Sequence, residues 1–266
     1  MTYVATDGDA YERSMGRWSR RLAVAFRDAL PTLPAEGDVL DAGCGTGALA
    51  EALAAAHPAL RITGIDPSAA YVAAAAARLP LARFRTGDIQ ALDLPDASQD
   101  AALALLVLQF VPDPAAAVAE LARVTRPGGL VATAMWDFWG GFPFLRLFAD
   151  TAAAILPEAA AWRDRHWCMN PIGSPGRLAA LLARAGLAEI RETDLTIRQD
   201  LKNFADWYEP WLAGEGFMGA FLVSLPEADR ARLQTALIAA WGDPSAPRSF
   251  AATARLAWGI RPGGPP

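Results

Sequence analysis

The chain has 266 residues, of which 53% are hydrophobic and 20% are charged, and its formal net charge at pH 7 is −5. This composition is typical of a globular protein with a full hydrophobic core, and the length predicts one domain with an elaboration. The negative charge argues against nucleic acid or an anionic membrane as a partner, because both attract clustered Lys and Arg.

Segments that would direct the chain to a membrane or a secretory pathway are not evident. No apolar run approaches the roughly 20 residues that span a bilayer, and the first residues lack an apolar signal core. We therefore expect a cytoplasmic protein. Cys44 and Cys168 lie far apart and neither belongs to a C-x-x-C pair, so we expect neither a disulfide framework nor a metal site.

Strands and helices alternate along the first half of the chain. A helix is predicted over 10–30, and prolines stop it. Short apolar runs then predict buried strands, and alanine-rich stretches with polar caps predict helices between them. The strands are predicted at 38–43, 60–66, 81–88, 100–108 and 130–138, and the helices at 46–58, 69–79 and 113–126.

The second half interrupts this alternation. Residues 175–186 predict another helix, 187–197 another strand, and a clean alternation near the C-terminus the last strand. Two aromatic-rich segments separate them. The prediction is one domain over 1–266. Its core covers 36–137, 174–199 and 246–261, its N-terminal helix covers 10–30, and two insertions, 138–173 and 200–245, form a lid.

Alternating strands and helices at this spacing predict an α/β fold, a mostly parallel sheet with helices on both faces. Such sheets bind ligands beyond the carboxyl ends of their strands, where the strand order reverses. The stretch "VLDAGCGTG" places Gly43, Gly45 and Gly47 after the first strand. It satisfies a loose dinucleotide pattern through Gly43, Gly45 and Ala48, with Asp66 about twenty residues on. A nicotinamide-dependent oxidoreductase is therefore one alternative.

Three carboxylates at successive strand ends favour a different cofactor. Asp41, Asp66 and Asp88 end the first, second and third predicted strands. A carboxylate beside the glycines repels a pyrophosphate but attracts the ammonium group of S-adenosylmethionine. Asp66 suits a ribose diol, because a carboxylate accepts from two hydroxyls. Asp88 suits the exocyclic amine of adenine, with the N–H of Ile89 available to a ring nitrogen.

These motifs resemble the class I S-adenosylmethionine-dependent methyltransferases of the small-molecule type that includes the quinone-biosynthesis enzymes. "VLDAGCGTG" resembles the family's first motif and "GIDPS", which contains Pro67, its ribose loop. "TGDIQALDLPDASQDAALALLVLQFVPD" resembles its adenine loop and fourth strand, and "ELARVTRPGGLV" the turn before the fifth strand. The resemblance covers roughly residues 38–137.

The resemblance implies a Rossmann-like seven-stranded sheet whose last strand is antiparallel. It implies that Gly43 and Gly45 let the backbone approach the methionine part of the cofactor. The carbonyl of Leu105 would bind the amino group. The helix containing Tyr11 would lie over the cofactor, and Arg17 would meet its carboxylate.

The predicted reaction is methyl transfer to a small, mostly apolar or aromatic acceptor, with S-adenosylhomocysteine as product and no metal. Such a displacement requires a base only if the acceptor must lose a proton. Gln109 and His166 are the catalytic candidates. Several tryptophans, at 136, 139, 162, 167, 207 and 211, either line an acceptor pocket or belong to the core. A non-catalytic S-adenosylmethionine-binding regulator is the second alternative. We expect a monomer or homodimer.

Overall fold

The computed structural model describes residues 7–31, 33–165 and 171–263. Seven strands form one sheet in the order β3-β2-β1-β4-β5-β7-β6. The four neighbouring pairs from β3 to β5 are parallel, and the last strand is antiparallel, which confirms the predicted fold. The strands are β1 (Gly37–Ala42), β2 (Leu60–Asp66), β3 (Arg83–Thr86), β4 (Gln99–Leu105), β5 (Thr125–Trp136), β6 (Ala188–Leu201) and β7 (Arg248–Ile260).

Eleven α-helices accompany the sheet in the described part of the chain. In this part no helix is long and apolar enough to cross a membrane. The helices are α1 (Gly8–Tyr11), α2 (Arg17–Ala29), α3 (Ala48–Ala56), α4 (Ala69–Arg78), α5 (Pro114–Val124), α6 (Pro143–Ile155), α7 (Pro157–Arg163), α8 (Arg177–Arg184), α9 (Phe204–Tyr208), α10 (Gly216–Ser224) and α11 (Glu227–Trp241).

Local capping chemistry explains several helix boundaries. Ser68 accepts the N–H of Tyr71 at the start of α4. Asp113 accepts two N–H groups at the start of α5, and Pro114 occupies the first turn, where its missing N–H costs nothing. These side chains satisfy donors that have no partner inside the helix, and for this reason the boundaries of α4 and α5 follow the predicted ones closely.

Two predicted elements differ from the structure. The first helix is interrupted, because residues Glu12–Gly16 form a π-helical turn between α1 and α2. β5 begins earlier than predicted, since it includes Pro127-Gly128-Gly129. The N–H of Gly128 bonds to the carbonyl of Arg261, and the N–H of Arg261 to the carbonyl of Gly129. This pairing with the end of the chain keeps the Pro-Gly-Gly segment extended.

The chain divides into two compact units. The first, here called the sheet unit, contains Ser19–Met135, Ile172–Leu195 and Ala254–Pro266. The second, here called the aromatic unit, contains Met1–Trp18, Trp136–Pro171 and Thr196–Thr253. The segments predicted as two insertions thus fall almost entirely into one unit, together with the N-terminal residues. Their role as a lid stays a prediction.

Aromatic side chains form the core of the aromatic unit. Phe144 is 1% exposed, and its ring lies 5.9–6.3 Å from the rings of five others: Trp18, Phe142, Trp207, Trp211 and Phe250. Four of the tryptophans named from the sequence, at 136, 162, 207 and 211, are buried, whereas Trp139 is 57% exposed. These four are therefore core residues rather than an open pocket lining. Trp167 lies outside the described residues.

Candidate functional site

The strand order reverses between β1 and β4, so the expected ligand crevice lies beyond their carboxyl ends. The glycine loop follows β1 directly. Gly43 has a φ of +72°, and a Cβ added there would lie 2.3 Å from Cγ2 of Val107, just beyond β4. Gly45 has a φ of +52°, and an added Cβ would meet no atom within 4 Å. Gly43 is therefore required by the protein's own packing, whereas Gly45 leaves open space beside the backbone.

The backbone N–H groups of this loop already have acceptors within the protein. Gly43 and Cys44 both donate to the carbonyl of Ile65, at 2.7 and 3.0 Å, and Gly47 donates to the carbonyl of Cys44. Gly45 donates to Asp66 Oδ2 at 3.0 Å. A pyrophosphate site requires such N–H groups to point at the ligand, so this loop is poorly suited to one.

Asp41, at the end of β1, is 1% exposed. Its Oδ2 accepts the N–H of Ala50 at 3.1 Å, in the first turn of α3. Burial raises the pKa of Asp41 to about 7. The Ala50 hydrogen bond opposes this increase, and the neighbouring Asp66 charge adds to it. Gly47 occupies the cap position of α3 and makes no side-chain cap bond.

Asp66, at the end of β2, holds two loops by one carboxylate. Its Oδ1 accepts the N–H of Ser68 at 2.9 Å, beyond Pro67, while its Oδ2 accepts that of Gly45. Burial raises the pKa of Asp66, although both N–H groups oppose this. A second buried carboxylate thus lies beside the glycine loop, which makes the loop unfavourable for an anion and favourable for a cation.

The third predicted acid, Asp88, lies two residues beyond β3 and is exposed. Its Oδ1 accepts the N–H of Gln90 at 2.8 Å, and both of its oxygens lie 3.1 Å from Nε2 of Gln90. Gln90 Oε1 in turn accepts the N–H of Asp113, the cap of α5. Ile89 is buried between them, at 3% exposure. This network holds the loop after β3 against the start of α5.

The carbonyl of Leu105, the last residue of β4, has a direction that follows from the sheet. The next N–H, that of Leu106, donates to the carbonyl of Ala134 in β5 at 2.8 Å. Because C=O and N–H point in opposite directions in a trans peptide, the Leu105 carbonyl points away from β5, towards β1. Asp41 pairs with Leu103, so Leu105 lies level with Gly43, where β1 has ended. The carbonyl is therefore directed at the glycine loop.

Arg17, predicted to meet the cofactor's carboxylate, has a protein partner. Its Nη1 lies 2.8 Å from Asp206 Oδ1, its Nη2 donates to the Asp206 carbonyl, and its guanidinium covers the ring of Trp18 at 4.5 Å. All three residues belong to the aromatic unit. Tyr11 ends α1, next to the π-helical turn. That either residue binds the cofactor stays a prediction.

The two catalytic candidates do not come together as a described site. Gln109 lies in a 3-10 turn, Leu108–Phe110, immediately beyond β4, and is half-buried. His166 and Cys168 lie outside the described residues. Cys44 is buried in the glycine loop, and burial raises the pKa of its thiol far above its usual range. Cys44 is therefore a packing residue and not a nucleophile.

Comparison with known proteins decides the family. The family model described as "Methyltransferase domain" matches residues 40–133. A trans-aconitate 2-methyltransferase of Paracidovorax citrulli is 34% identical over 211 residues, which cover 75% of this chain and 75% of that protein. The chain belongs to the S-adenosylmethionine-dependent methyltransferases.

Other relatives agree with this family. A trans-aconitate 2-methyltransferase of Variovorax paradoxus is 36% identical over 154 residues; these cover 58% of this chain but only 55% of that protein. The crystal structure of YcgJ from Bacillus subtilis superposes with a TM-score of 0.59 at 20% identity, over 93% of this chain and 100% of that one. This likeness supports the same fold.

The methyltransferase loop and its acids fit the family's cofactor. The open space beside Gly45 leaves room for a ligand close to the backbone. Two buried carboxylates and one directed carbonyl offer acceptors to a cationic group, and four N–H groups of the loop, those of Gly43, Cys44, Gly45 and Gly47, are engaged within the protein. The dinucleotide alternative therefore has no support in this loop.

Two residues just beyond β4 have a structural importance that was not predicted from the sequence. Val107 packs over Gly43, and Leu106 has a φ of +63°, which a leucine rarely adopts. No local pattern indicates either residue, because both belong to the apolar run 100–108, which predicts one continuous strand. Their importance depends on where β4 ends, and the pairing with β1 and β5 decides that.

Proposed function

We propose that the protein transfers the methyl group of S-adenosylmethionine to a small, mostly apolar or aromatic acceptor. The observation that carries the cofactor part is the glycine loop at the switch point. Its N–H groups are bonded to Ile65 and Asp66, and two buried carboxylates lie against it. Such a loop favours a ligand with positive charge over one with a phosphate.

Each cofactor group has a proposed partner among the acceptors at the sheet edge. The Leu105 carbonyl binds the ammonium group, and Asp41 attracts it directly or through water. Asp66 accepts hydrogen bonds from the ribose hydroxyls, since each of its oxygens retains a lone pair beyond its backbone bond. Gly45 allows the close approach of the methionine part, whereas Gly43, also predicted for this role, is required instead by the packing of Val107 against it. Pro67 shapes the ribose loop.

The adenine is bound by the loop after β3. Asp88, which is exposed, accepts from the exocyclic amine, and the N–H of Ile89 donates to a ring nitrogen. Gln90 competes for Asp88, because its Nε2 lies 3.1 Å from both carboxylate oxygens. We propose that the Gln90 amide turns aside or shares Asp88 when adenine binds. Tyr11 and Arg17 remain proposed contacts to the other side of the cofactor.

When bound, S-adenosylmethionine supplies a methyl group on a sulfonium, which is reactive without further activation. The protein's contribution is to hold the acceptor in line with the methyl group and to exclude water. An acceptor that must lose a proton needs a base within hydrogen-bond reach. Gln109, as a neutral amide, orients such an acceptor, and His166 is the candidate base.

A second candidate acceptor is a carboxylic acid. The observation in its favour is the 34% identity with a trans-aconitate 2-methyltransferase over 75% of both chains. A tricarboxylate needs cationic partners. Arg13, which is exposed and has no described ion pair, is the one cation that the described part of the aromatic unit offers in a surface groove of about 370 Å³, since Arg17 in the same groove is paired with Asp206 and Glu209 adds a second carboxylate there. A neutral acceptor does not need these cations.

The first experiment is calorimetric titration of the purified protein with S-adenosylhomocysteine and, separately, with NADH. We expect S-adenosylhomocysteine alone to bind. Labelled methyl transfer is then measured to 2-naphthol and to trans-aconitate. Transfer to 2-naphthol supports the main proposal, and transfer to trans-aconitate alone supports the second. Binding of S-adenosylhomocysteine without transfer to any acceptor in a wider screen would support the regulator alternative.

A further inference from the structure

Leu106 stands in a strained backbone conformation at the centre of the site. Its φ is +63°, in the left-handed region. Among the described residues, only Ala97 and Glu189 share a positive φ without being glycine, and both lie at the starts of strands, before β4 and in β6. Leu106 instead follows the carboxyl end of β4, at the switch point. Strain that persists at such a place indicates a functional constraint.

The left-handed residue changes the course of the chain immediately after the Leu105 carbonyl. The Leu106 N–H is still held by Ala134 in β5 at 2.8 Å, so the Leu105–Leu106 peptide plane is anchored. Beyond Leu106 the chain leaves the sheet and enters the turn Leu108–Phe110. Had Leu106 continued in the extended conformation, the strand would have run on and carried Val107 along β5.

This change of course brings Val107 onto the glycine loop. The space that a side chain at Gly43 would need is filled by the Val107 methyl group, at 2.3 Å from the position of an added Cβ. Gly43 in turn is bonded to Ile65. The end of β4 and the glycine loop are thereby locked together through one packing contact, which depends on the conformation of Leu106.

We propose that Leu106 is a positioning residue for the amino-acid part of S-adenosylmethionine. Its left-handed backbone holds the Leu105 carbonyl towards the glycine loop and presses Val107 onto Gly43, so that the ammonium group meets a preorganised acceptor. The adenosine part, bound at β2 and β3, does not depend on this turn. The inference rests on the proposed use of S-adenosylmethionine.

The test compares two substitutions that differ in their tolerance of the left-handed region. Asn adopts this conformation readily, whereas β-branched Val is nearly excluded from it. Calorimetry measures the Kd of S-adenosylhomocysteine and of 5′-methylthioadenosine, which lacks the amino-acid part. We expect Leu106→Asn to keep both affinities. Leu106→Val should weaken S-adenosylhomocysteine by about tenfold, the scale of one hydrogen bond to a charged group, and leave 5′-methylthioadenosine unchanged.

The control is Ala97→Val, which places the same β-branched side chain at another left-handed position of the sheet unit, φ +52°, outside the site. It should lower thermal stability without changing the ratio of the two affinities. If Leu106→Val does not fold, Val107→Ala provides the test in its place. It removes the contact on Gly43, so it should also weaken the binding of S-adenosylhomocysteine and not that of 5′-methylthioadenosine.

Three results would overturn the inference. One is retention of affinity by Leu106→Val with loss by Leu106→Asn, which would assign the effect to the apolar side chain. Another is an equal loss of affinity for both ligands in Leu106→Val, which would indicate that the whole binding site is disturbed. The last is an unchanged affinity ratio in Val107→Ala. Failure of the wild-type protein to bind S-adenosylhomocysteine at all would instead contradict the proposed function.

Discussion

Asp66 joins the ends of the first two strands through Gly45: the Asp66 Oδ2 accepts the Gly45 N–H at 3.0 Å. The same carboxylate accepts the N–H of Ser68 at 2.9 Å. The residue proposed to bind the ribose therefore also holds the glycine loop in place. A change at Asp66 alters the ligand's partner and the shape of its site at once.

We expect Asp66→Asn to weaken S-adenosylhomocysteine binding by about ten- to a hundredfold, since a hydrogen bond to a charged group is worth roughly 1.5–3 kcal/mol. The amide cannot accept from both backbone N–H groups and two ribose hydroxyls. Calorimetry measures the Kd. Asp93→Asn, which neutralises a fully exposed carboxylate of the same unit and removes only its surface ion pair with Arg85, is the control for loss of a carboxylate charge. An unchanged Kd in Asp66→Asn would mean that the ribose lies elsewhere.

The open space beside Gly45 predicts that Gly45→Ala disturbs the ligand more than the fold. Its φ of +52° makes any side chain strained, at a cost of about 1 kcal/mol, but no protein atom obstructs it. Gly176, with a φ of +76° and no neighbour within 4 Å, offers a matched control. Both variants should lose similar thermal stability. Only Gly45→Ala should lose affinity for S-adenosylhomocysteine. Equal affinities in Gly45→Ala and Gly176→Ala would show that the cofactor does not approach Gly45.

The buried Asp41 predicts a pH dependence of stability in the ligand-free protein. Burial raises its pKa to about 7, well above the usual value for an aspartate, so between these two values the folded state retains a proton that the unfolded state has released. Stability should therefore fall as the pH rises from about 4 to about 7, by a few kcal/mol at most. Asp41→Asn should flatten this slope in denaturant titrations across that range. If stability changed with pH as steeply in Asp41→Asn as in the wild type, other groups would be responsible for the pH dependence.

The same carboxylate predicts proton release when the cofactor binds. A cationic ammonium group near Asp41 favours its ionised form, so binding at or below pH 7 should expel part of a proton, and affinity should increase with pH up to about 7. Calorimetry in two buffers of different ionisation enthalpy measures the release. It should disappear in Asp41→Asn and with 5′-methylthioadenosine. Release with both ligands in the wild type would point to Asp66 instead.

The Arg17–Asp206 pair separates two roles for Arg17. The side chains are 29% and 23% exposed, so we expect the pair to contribute about 1 kcal/mol to stability. A double-mutant cycle of Arg17→Ala and Asp206→Ala, followed by denaturant unfolding, measures this coupling. If Arg17 also meets the cofactor's carboxylate, Arg17→Ala should weaken S-adenosylhomocysteine and not 5′-methylthioadenosine. If Arg17→Ala and the wild type bind S-adenosylhomocysteine equally well, the role of Arg17 is structural only.

The order and type of most elements were predictable, because the signals are local. Apolar runs, the cap Asp113 and Pro114 act within a few residues, and they placed α5 nearly where it lies. The proximity of Asp41 and Asp66 was predictable for a related reason, because parallel strands end at the same edge of a sheet; the place of Asp88 in one site with them stays a prediction. The π-helical turn at Glu12–Gly16 was not predictable, because no proline interrupts the chain between residues 10 and 30 to mark a break there.

Short-range patterns in the sequence were enough to predict the mostly parallel sheet, the glycine loop and the acids that follow the strands, and the family resemblance added the antiparallel last strand and the Leu105 carbonyl. The contacts of each side chain could be read only from the folded chain. Asp41 bonds to Ala50, Arg17 to a residue 189 positions away, and Val107 packs over Gly43. Such contacts depend on strand register and on how distant segments pack, and a hydrogen bond or a van der Waals contact is lost over a shift of one residue.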